Sequence, residues 1–287
     1  MKRFVSILSV VVLWPLAASW PQVRPLNEAG VSMAQLHEIV RDMEASKKFW
    51  TLMGGTPIKV DGADVIKFPG VLIFLTLGKP SGGSSGTPVD HVGLLVADGV
   101  ELVARMRAAG AKTDPDAGIR DPALMNVRHV YSPDDLKIEI LDMPSVLRIN
   151  PSLVENRHLN LKDPIAMDHL HYALPDPPAA QAWYAKMFGA IPATYMSRNG
   201  AGLGANLAGT RMNLGGSRNA LVPTKGRSLD HIGFEVKNLE AFCKKLEASG
   251  VRFDAPYSKS RHKGFASAEL TDPWGTSIEL TEGLSRF

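Results

Sequence analysis

The fold is decided by Leu229-Asp-His-Ile-Gly-Phe-Glu-Val-Lys-Asn238 and by Leu270-Thr-Asp-Pro-Trp-Gly-Thr-Ser-Ile-Glu-Leu-Thr-Glu-Gly283, near the end of the chain. In the first segment apolar and polar residues alternate, which is typical of a β-strand with one buried face. Apolar residues at helical spacing follow Asn238 and stop at Gly250, a pattern that predicts a helix with a polar cap and a terminal glycine. The second segment closes on a strand that carries Glu279.

The same plan occurs three more times upstream. It starts at Ala34-Gln35, Asp90-His91 and Asp168-His169, and the helices that follow end at Gly54, Gly110 and Gly189. About three further strands follow each helix, so the unit is βαβββ. The chain therefore contains four such modules, numbered one to four in chain order.

The chain divides into two predicted halves. Three prolines in 144–166 predict a linker. Modules one and two then form a half at 32–143, and modules three and four form a half at 167–284.

Residues 1–20 combine a basic start, a short apolar run and small residues, which predicts a cleaved export signal and a periplasmic or secreted protein. An uncleaved membrane anchor is the alternative, although spanning a bilayer takes roughly 20 apolar residues.

The composition limits the classes of function. Of the 287 residues, 45% are hydrophobic and 21% are charged, as in soluble globular proteins. The net charge is +3 and no basic run alternates with aromatic residues, so nucleic-acid binding is not predicted. The single cysteine, Cys243, lies among apolar residues at helical spacing and is predicted to be a core residue. We expect a small-molecule partner, no membrane association after signal cleavage, and a monomer or homodimer.

Alternation along the strands predicts which side chains share a face. His231 and Glu279 lie opposite the apolar residues that pack on the helix, and His169 and His171 do so in module three. His169, His231 and Glu279 together offer two imidazoles and a carboxylate, a set that leaves positions open on a divalent metal ion. We predict that these three residues are the metal ligands.

The front half carries an equivalent set. Aligning the helix starts puts Gln35 at the place of His169, while His91 and Glu139 match His231 and Glu279. A glutamine is a weaker ligand than a histidine, so this set predicts a weaker second site.

Four βαβββ modules, with a histidine on the first strand and an Asp-Pro-x-Gly turn before Ile-Glu-Leu, resemble the vicinal oxygen chelate superfamily. That superfamily includes glyoxalase I, extradiol ring-cleaving dioxygenases, fosfomycin- and bleomycin-resistance proteins and methylmalonyl-CoA epimerase. The resemblance covers nearly everything after about residue 32. It implies an α+β fold in which four modules pair into two half-open mixed-sheet barrels, with a divalent metal on the concave face.

The resemblance leaves three functions open. The ligand set is nearest to that of extradiol-type dioxygenases acting on vicinal-oxygen substrates. Their iron(II) makes Fe2+ the favoured ion, with Mn2+, Zn2+, Ni2+ or Co2+ as alternatives. In those enzymes a tyrosine takes the place of Glu269 and a loop histidine corresponds to His262; with His171, these are the predicted catalytic residues. The first alternative is a glyoxalase I-like isomerase or lyase, whose fourth ligand position holds Phe74 or Asn213 here. The second is a non-catalytic, resistance-type binding module.

Overall fold

The computed structural model describes residues 23–115, 127–142, 165–197 and 200–287. Module one contains β1 (Val31–Val40), α1 (Met43–Met53), β2 (Thr56–Val60), β3 (Ala63–Phe68) and β4 (Val71–Leu77). Module two contains β5 (Val89–Val96), α2 (Gly99–Ala108), β6 (Val127–Tyr131) and β7 (Lys137–Asp142). Module three contains β8 (Ile165–Leu174), α3 (Pro177–Phe188), β9 (Ile191–Ser197), β10 (Gly200–Leu207) and β11 (Thr210–Gly216). Module four contains β12 (Leu229–Val236), α4 (Leu239–Ala248), β13 (Phe253–Ser258), β14 (Ala266–Thr271) and β15 (Ser277–Glu282), followed by the short helix Leu284–Arg286.

The predicted export signal at 1–20 and most of the predicted linker at 144–166 lie outside the described residues. Among the described helices, none has the length and apolar character needed to cross a membrane.

The strands form two mixed sheets. Sheet A has the order β13-β14-β15-β12-β1-β4-β3-β2, and sheet B has the order β6-β7-β5-β8-β11-β10-β9. Within each module the first strand pairs in parallel with the last one. Across modules the first strands pair antiparallel, β1 with β12 and β5 with β8. The predicted α+β class with paired modules is confirmed.

The modules pair differently from the sequence-based interpretation. Sheet A joins modules one and four and sheet B joins modules two and three, whereas the sequence predicted one with two and three with four. The repeat gives all four first strands the same pattern, so the pattern does not specify which strand is the partner. The segments 78–88 and 217–228 cross between the sheets side by side, and the Ser228 N–H donates to the Gly82 carbonyl.

Most helix ends follow the predicted chemistry. Asp42, Asp98 and Asp176 accept hydrogen bonds from free N–H groups in the first helical turns. Asn238 does not, because its backbone is left-handed (φ 56°) and its side chain makes no capping bond. The carboxylate of Glu282 accepts from the first N–H groups of α4 instead.

Apolar residues of both sheets and all four helices form one large core. One large residue from each helix, Trp50, Met106, Tyr184 and Phe242, is buried in it. The sheet faces away from this core carry the candidate sites. On sheet A that face also holds a second apolar cluster, which includes Leu72, Phe74 and Phe265.

Candidate metal centre

Each first strand has one unpaired residue at the same place. In the two antiparallel pairings the residues without a partner opposite are Ala34, Asp90, Asp168 and Asp230. An extra residue of this kind is a β-bulge, which bends the strand and redirects side chains. As a result, the unpaired residue lies beside the side chain that follows it rather than on the opposite face.

In three modules the bulge forms an aspartate–histidine pair. Nδ1 of His91, His169 and His231 donates to the preceding aspartate at 2.8, 2.7 and 2.7 Å, respectively. A carboxylate at Nδ1 fixes the ring orientation and leaves the lone pair on Nε2, the arrangement that orients metal-ligating histidines. Module one has Ala34 and Gln35 at these two places. The amide of Gln35 has no ring tautomers, so it does not need a carboxylate beside it to select one.

We call the polar group on sheet B site B; its residues are His91, His129, Glu139, His169 and His171. Glu139 is at its centre, with Oε2 3.0 Å from His91 Nε2 and Oε1 3.7 Å from His169 Nε2. His129 Nε2 lies 3.6 Å from the same carboxylate. Two overlapping groups have ligand atoms within 4.8 Å of one another, namely His91 with His169 and His171, and His91 with His129 and Glu139.

Gly93 makes room for this convergence. It lies between His169 and Glu139 in the register of sheet B. A Cβ atom at Gly93 would be 2.1 Å from Cε1 of His169, so the imidazole lies directly over the glycine. The His169 ring can therefore reach across β5 towards the carboxylate on β7.

The electrostatics of site B favour a cation. Burial lowers the pKa of His169, which leaves its ring neutral. Burial opposes ionisation of Glu139, but the nearby imidazoles of His129 and His91 outweigh it and hold the pKa of that carboxyl well below its usual range. A neutral Nε2 and an ionised carboxylate thus present lone pairs to each other, and the buried Nε2 of His169 has no hydrogen-bond partner among the described residues. These donors fit a divalent metal ion.

We call the corresponding group on sheet A site A; its residues are Gln35, His37, His231, His262 and Glu279. Nε2 of Gln35 donates to Glu279 Oε2, and Gln35 lies over Gly233 as His169 lies over Gly93. His231 Nε2 is 3.5 Å from Glu279 Oε2, and His262 Nε2 is 3.5 Å from Oε1. The ring of His37 lies against that of His231, with centroids 4.3 Å apart.

Both sites combine a charged contact with an unpartnered nitrogen. In site B, contacts with Asp90 and Glu139 raise the pKa of His91 despite its burial. In site A, the buried Nε2 of His231, like that of His169, has no hydrogen-bond partner among the described residues.

Burial opposes protonation of His231, but its contacts with Asp230 and Glu279 prevail and raise the pKa of the imidazole to about 9. The same contact, together with His262, lowers the pKa of Glu279 despite its burial. A protonated imidazole therefore faces an ionised carboxylate, which also accepts the amide hydrogen bond of Gln35.

The structure separates the predicted ligand sets. His231 and Glu279 lie together in site A, but His169 lies in site B, because module three pairs with module two. The weaker predicted set separates in the same way, with Gln35 in site A and with His91 and Glu139 in site B.

The predicted catalytic residues also separate. His262 belongs to site A, where its ring stacks on Phe265 at 4.2 Å. Glu269 pairs with Glu279 in the sheet and binds Lys225 at 3.2 Å. His171 belongs to site B, where its ring stacks on His91 at 4.4 Å.

Three residues in or beside site B were not among the predicted ligands and catalytic residues. The first is His129, whose Nδ1 is held by Asp114 at 2.6 Å, which orients Nε2 towards Glu139. Gly93 had a signal, because a glycine two residues after the first-strand histidine occurs only in modules two and four. No pattern in the sequence indicated Tyr195, whose ring lies 5.8 Å from that of His171.

Comparison with known proteins agrees with the fold. The family model of the Glyoxalase/Bleomycin resistance protein/Dioxygenase superfamily matches residues 166–280. Glyoxalase I from Zea mays superposes with a TM-score of 0.69 at 12% identity, over 89% of this chain and 94% of that one. A putative dioxygenase from Bacillus subtilis subsp. subtilis str. 168 superposes with a TM-score of 0.60 at 12% identity, over 88% and 84%. No curated protein matches the chain.

Proposed function

Because residues 166–280 match the family model of the Glyoxalase/Bleomycin resistance protein/Dioxygenase superfamily, we propose that the protein is a metal-dependent enzyme acting on a small molecule with vicinal oxygens. His91, His169 and Glu139 of site B would hold the ion. This proposal moves the predicted two-histidine, one-carboxylate set from modules three and four to modules two and three.

One observation carries the proposal. Two imidazoles, each fixed at Nδ1 by an aspartate, direct Nε2 at the two oxygens of one carboxylate, at 3.0 and 3.7 Å. Three protein donors of this type leave coordination positions for substrate oxygens or dioxygen. A bound divalent ion supplies Lewis-acid stabilisation of negative charge on the substrate oxygens.

The surrounding residues have definable roles. Arg211 Nη2 binds Asp168 at 2.9 Å and Lys137 Nζ binds Asp90 at 2.9 Å, so a cation holds each orienting aspartate in place. His171 presents an imidazole on the open side of His91, within reach of a substrate bound next to the ligands. The buried position of His169, at 0% exposure, keeps water from its side of the site.

Oxygen-dependent ring cleavage is the reaction that this donor set favours, because a two-histidine, one-carboxylate face is typical of non-haem iron oxygenases. Metal-assisted isomerisation is the second candidate. Its support is Asn213, which lies beside His171 on β11 and whose buried Oδ1 has no partner among the described residues. An amide oxygen at that place is available as a fourth ligand.

The ligand assignment is tested by elemental analysis after expression with Fe2+, Mn2+, Zn2+, Ni2+ or Co2+. We expect about one ion per chain in the wild-type protein and in His231→Ala, the matched control in site A. We expect His169→Ala to lose the ion, because it removes one of three ligands. The opposite pattern, with the ion kept in His169→Ala and lost in His231→Ala, would refute the assignment.

The reaction is tested on the metal-loaded protein with a panel of catechols and with 2-oxoaldehyde adducts. Oxygen uptake coupled to loss of the catechol ring supports ring cleavage. Turnover of the adducts without oxygen uptake supports isomerisation. If no compound of either class is turned over or bound by metal-loaded protein, the enzymatic proposal is wrong.

A further inference from the structure

Tyr195 lies across a surface made of glycines. It is on β9, opposite Gly202 of β10 in the antiparallel register. A Cβ atom at Gly202 would be 2.5 Å from Cε1 of the tyrosine and 3.0 Å from its hydroxyl oxygen. A glycine in a strand interior often marks a place where another group approaches the backbone closely. The glycine thus allows the phenol ring to lie flat against the sheet.

The tyrosine hydroxyl and the His171 imidazole enclose a small space beside site B, with Gly215 as its floor. A Cβ atom at Gly215 would be 3.2 Å from His171 Nε2 and 3.7 Å from the Tyr195 hydroxyl. Both polar atoms therefore lie close to one common point above the glycine. That point is adjacent to the proposed centre, because the His171 ring stacks on the His91 ring.

Neither polar group is used by the fold. The contacts that the described residues make with the Tyr195 and His171 side chains are ring contacts, between the two of them and from His171 to His91 and His169. Covering a glycine across two antiparallel strands needs only the aromatic ring, so packing gives no role to the hydroxyl. Burial raises the pKa of Tyr195, so the hydroxyl keeps its proton and remains a donor.

We infer that Tyr195 is a substrate-binding residue whose hydroxyl donates a hydrogen bond to a substrate oxygen held between Tyr195 and His171, above Gly215. The inference rests on the proposed function, since it places that oxygen next to a metal at site B. It also specifies the substrate further, because a flat molecule with an oxygen acceptor near its metal-binding oxygens fits this space best.

The test is binding of 4-nitrocatechol to the zinc-loaded protein, followed by its visible absorbance. Zinc is redox-inert, so the probe is not consumed. Tyr195→Phe should weaken binding about tenfold, as expected for one hydrogen bond, and leave the zinc content unchanged. Gly202→Ala should weaken binding to a similar extent, because the new methyl group displaces the ring while the hydroxyl is retained. Tyr257→Phe on sheet A is the matched control and should bind like the wild-type protein.

A double variant separates hydrogen bonding from general disturbance. Once the hydroxyl is absent, Gly202→Ala should cause little further loss, so the two effects should not add. If Tyr195→Phe binds the probe as tightly as the wild-type protein while zinc is retained, this inference is wrong and the metal assignment stands. If the wild-type protein takes up no zinc or other ion at site B, both are wrong.

Discussion

Sites A and B occupy equivalent places in the two sheets but differ in a coordinated way. On sheet B, the bulge residue Asp168 orients His169, and Arg211 on the neighbouring strand neutralises the buried aspartate. On sheet A, the three equivalent positions hold Ala34, Gln35 and Leu72. An ionised carboxylate buried without a partner is costly, so the aspartate and the arginine are useful only while the histidine is present.

The comparison teaches that the aspartate, histidine and arginine form one functional unit. The neighbouring positions change in the same sense, since Asn213 on sheet B corresponds to Phe74 on sheet A. Phe74 belongs to an apolar cluster, whereas Asn213 keeps a polar atom facing site B. Site A therefore has His231 and Glu279 at the equivalent places but lacks the groups that orient and support an imidazole at the place of Gln35.

The two glycines that make room for the central side chains offer the largest expected difference. Gly93→Ala should lower metal affinity by at least about 100-fold, because the methyl group occupies the space of the His169 ring and the ligand moves off its position. Gly233→Ala makes the same change under Gln35 in site A and should leave metal binding intact. Metal titrations of both variants measure this, with thermal melting as the check on folding. Equal losses in the two variants would remove the distinction between the sites.

The missing imidazole of site A can be restored by one substitution. Gln35→His should allow a second ion to bind, because His231 and Glu279 already lie at the equivalent places. We expect this ion to bind about 10- to 100-fold more weakly than the first, since Ala34 offers no carboxylate to orient the new ring. The measurement is the number of ions per chain at saturating metal. A stoichiometry that stays at one would show that the loss of site A lies beyond the ligand itself.

The other faces of the two first strands provide a parallel comparison. On β1, Glu38 accepts hydrogen bonds from Trp50 on α1 and from Ser132 of module two. On β8 the equivalent place holds Tyr172, which donates to Tyr184 on α3, and Tyr184 in turn donates to Asp272 of module four. Each half thus has one buried carboxyl group that links a helix to another module. In the first half this group is Glu38 on β1, and in the second half it is Asp272 on the turn between β14 and β15.

This difference predicts a pH effect on stability. Burial raises the pKa of Glu38 to about 7, so the folded state binds a proton that the unfolded state releases near pH 4.5. The contribution of Glu38 is therefore present below about pH 4.5 and is lost as the pH rises through about 7. This contribution to the free energy of unfolding amounts to roughly 2–3 kcal/mol. Chemical unfolding of the wild-type protein and Glu38→Gln at pH 4.5 and 8 should show a stability difference that shifts in favour of the variant by this amount. If the stability difference between the wild-type protein and Glu38→Gln is the same at both pH values, this prediction is wrong.

Much of the fold could be predicted from the sequence because the repeat is local information. Alternation assigned the strand faces correctly, and helical spacing assigned buried residues such as Trp50 and Phe242. The prediction about Asn238 was wrong because a left-handed residue cannot direct its side chain at the helix, and the replacement cap, Glu282, is distant in sequence.

The composition of each site could not be predicted because it depends on which modules pair. A glycine in an even module faces a large side chain from an odd module in either arrangement, so Gly93 and Gly233 do not identify the partner. The partner is instead set where the two connecting segments meet, through the backbone bond from Ser228 to Gly82 and the bond from the Arg227 side chain to the Gly83 carbonyl. The local pattern of neither segment identifies the other as its partner.

The crossed pairing of modules has a consequence for the chain as a whole. A cut between 143 and 166 would not release two independent domains, because each fragment would retain one half of each sheet and expose β1 and β5, or β8 and β12, as open edges. Each fragment would also carry one odd and one even module, and so everything required to pair with a second copy of itself. The intact chain is thus equivalent to a two-fold dimer joined into one polypeptide, and the join has freed site A to diverge from site B.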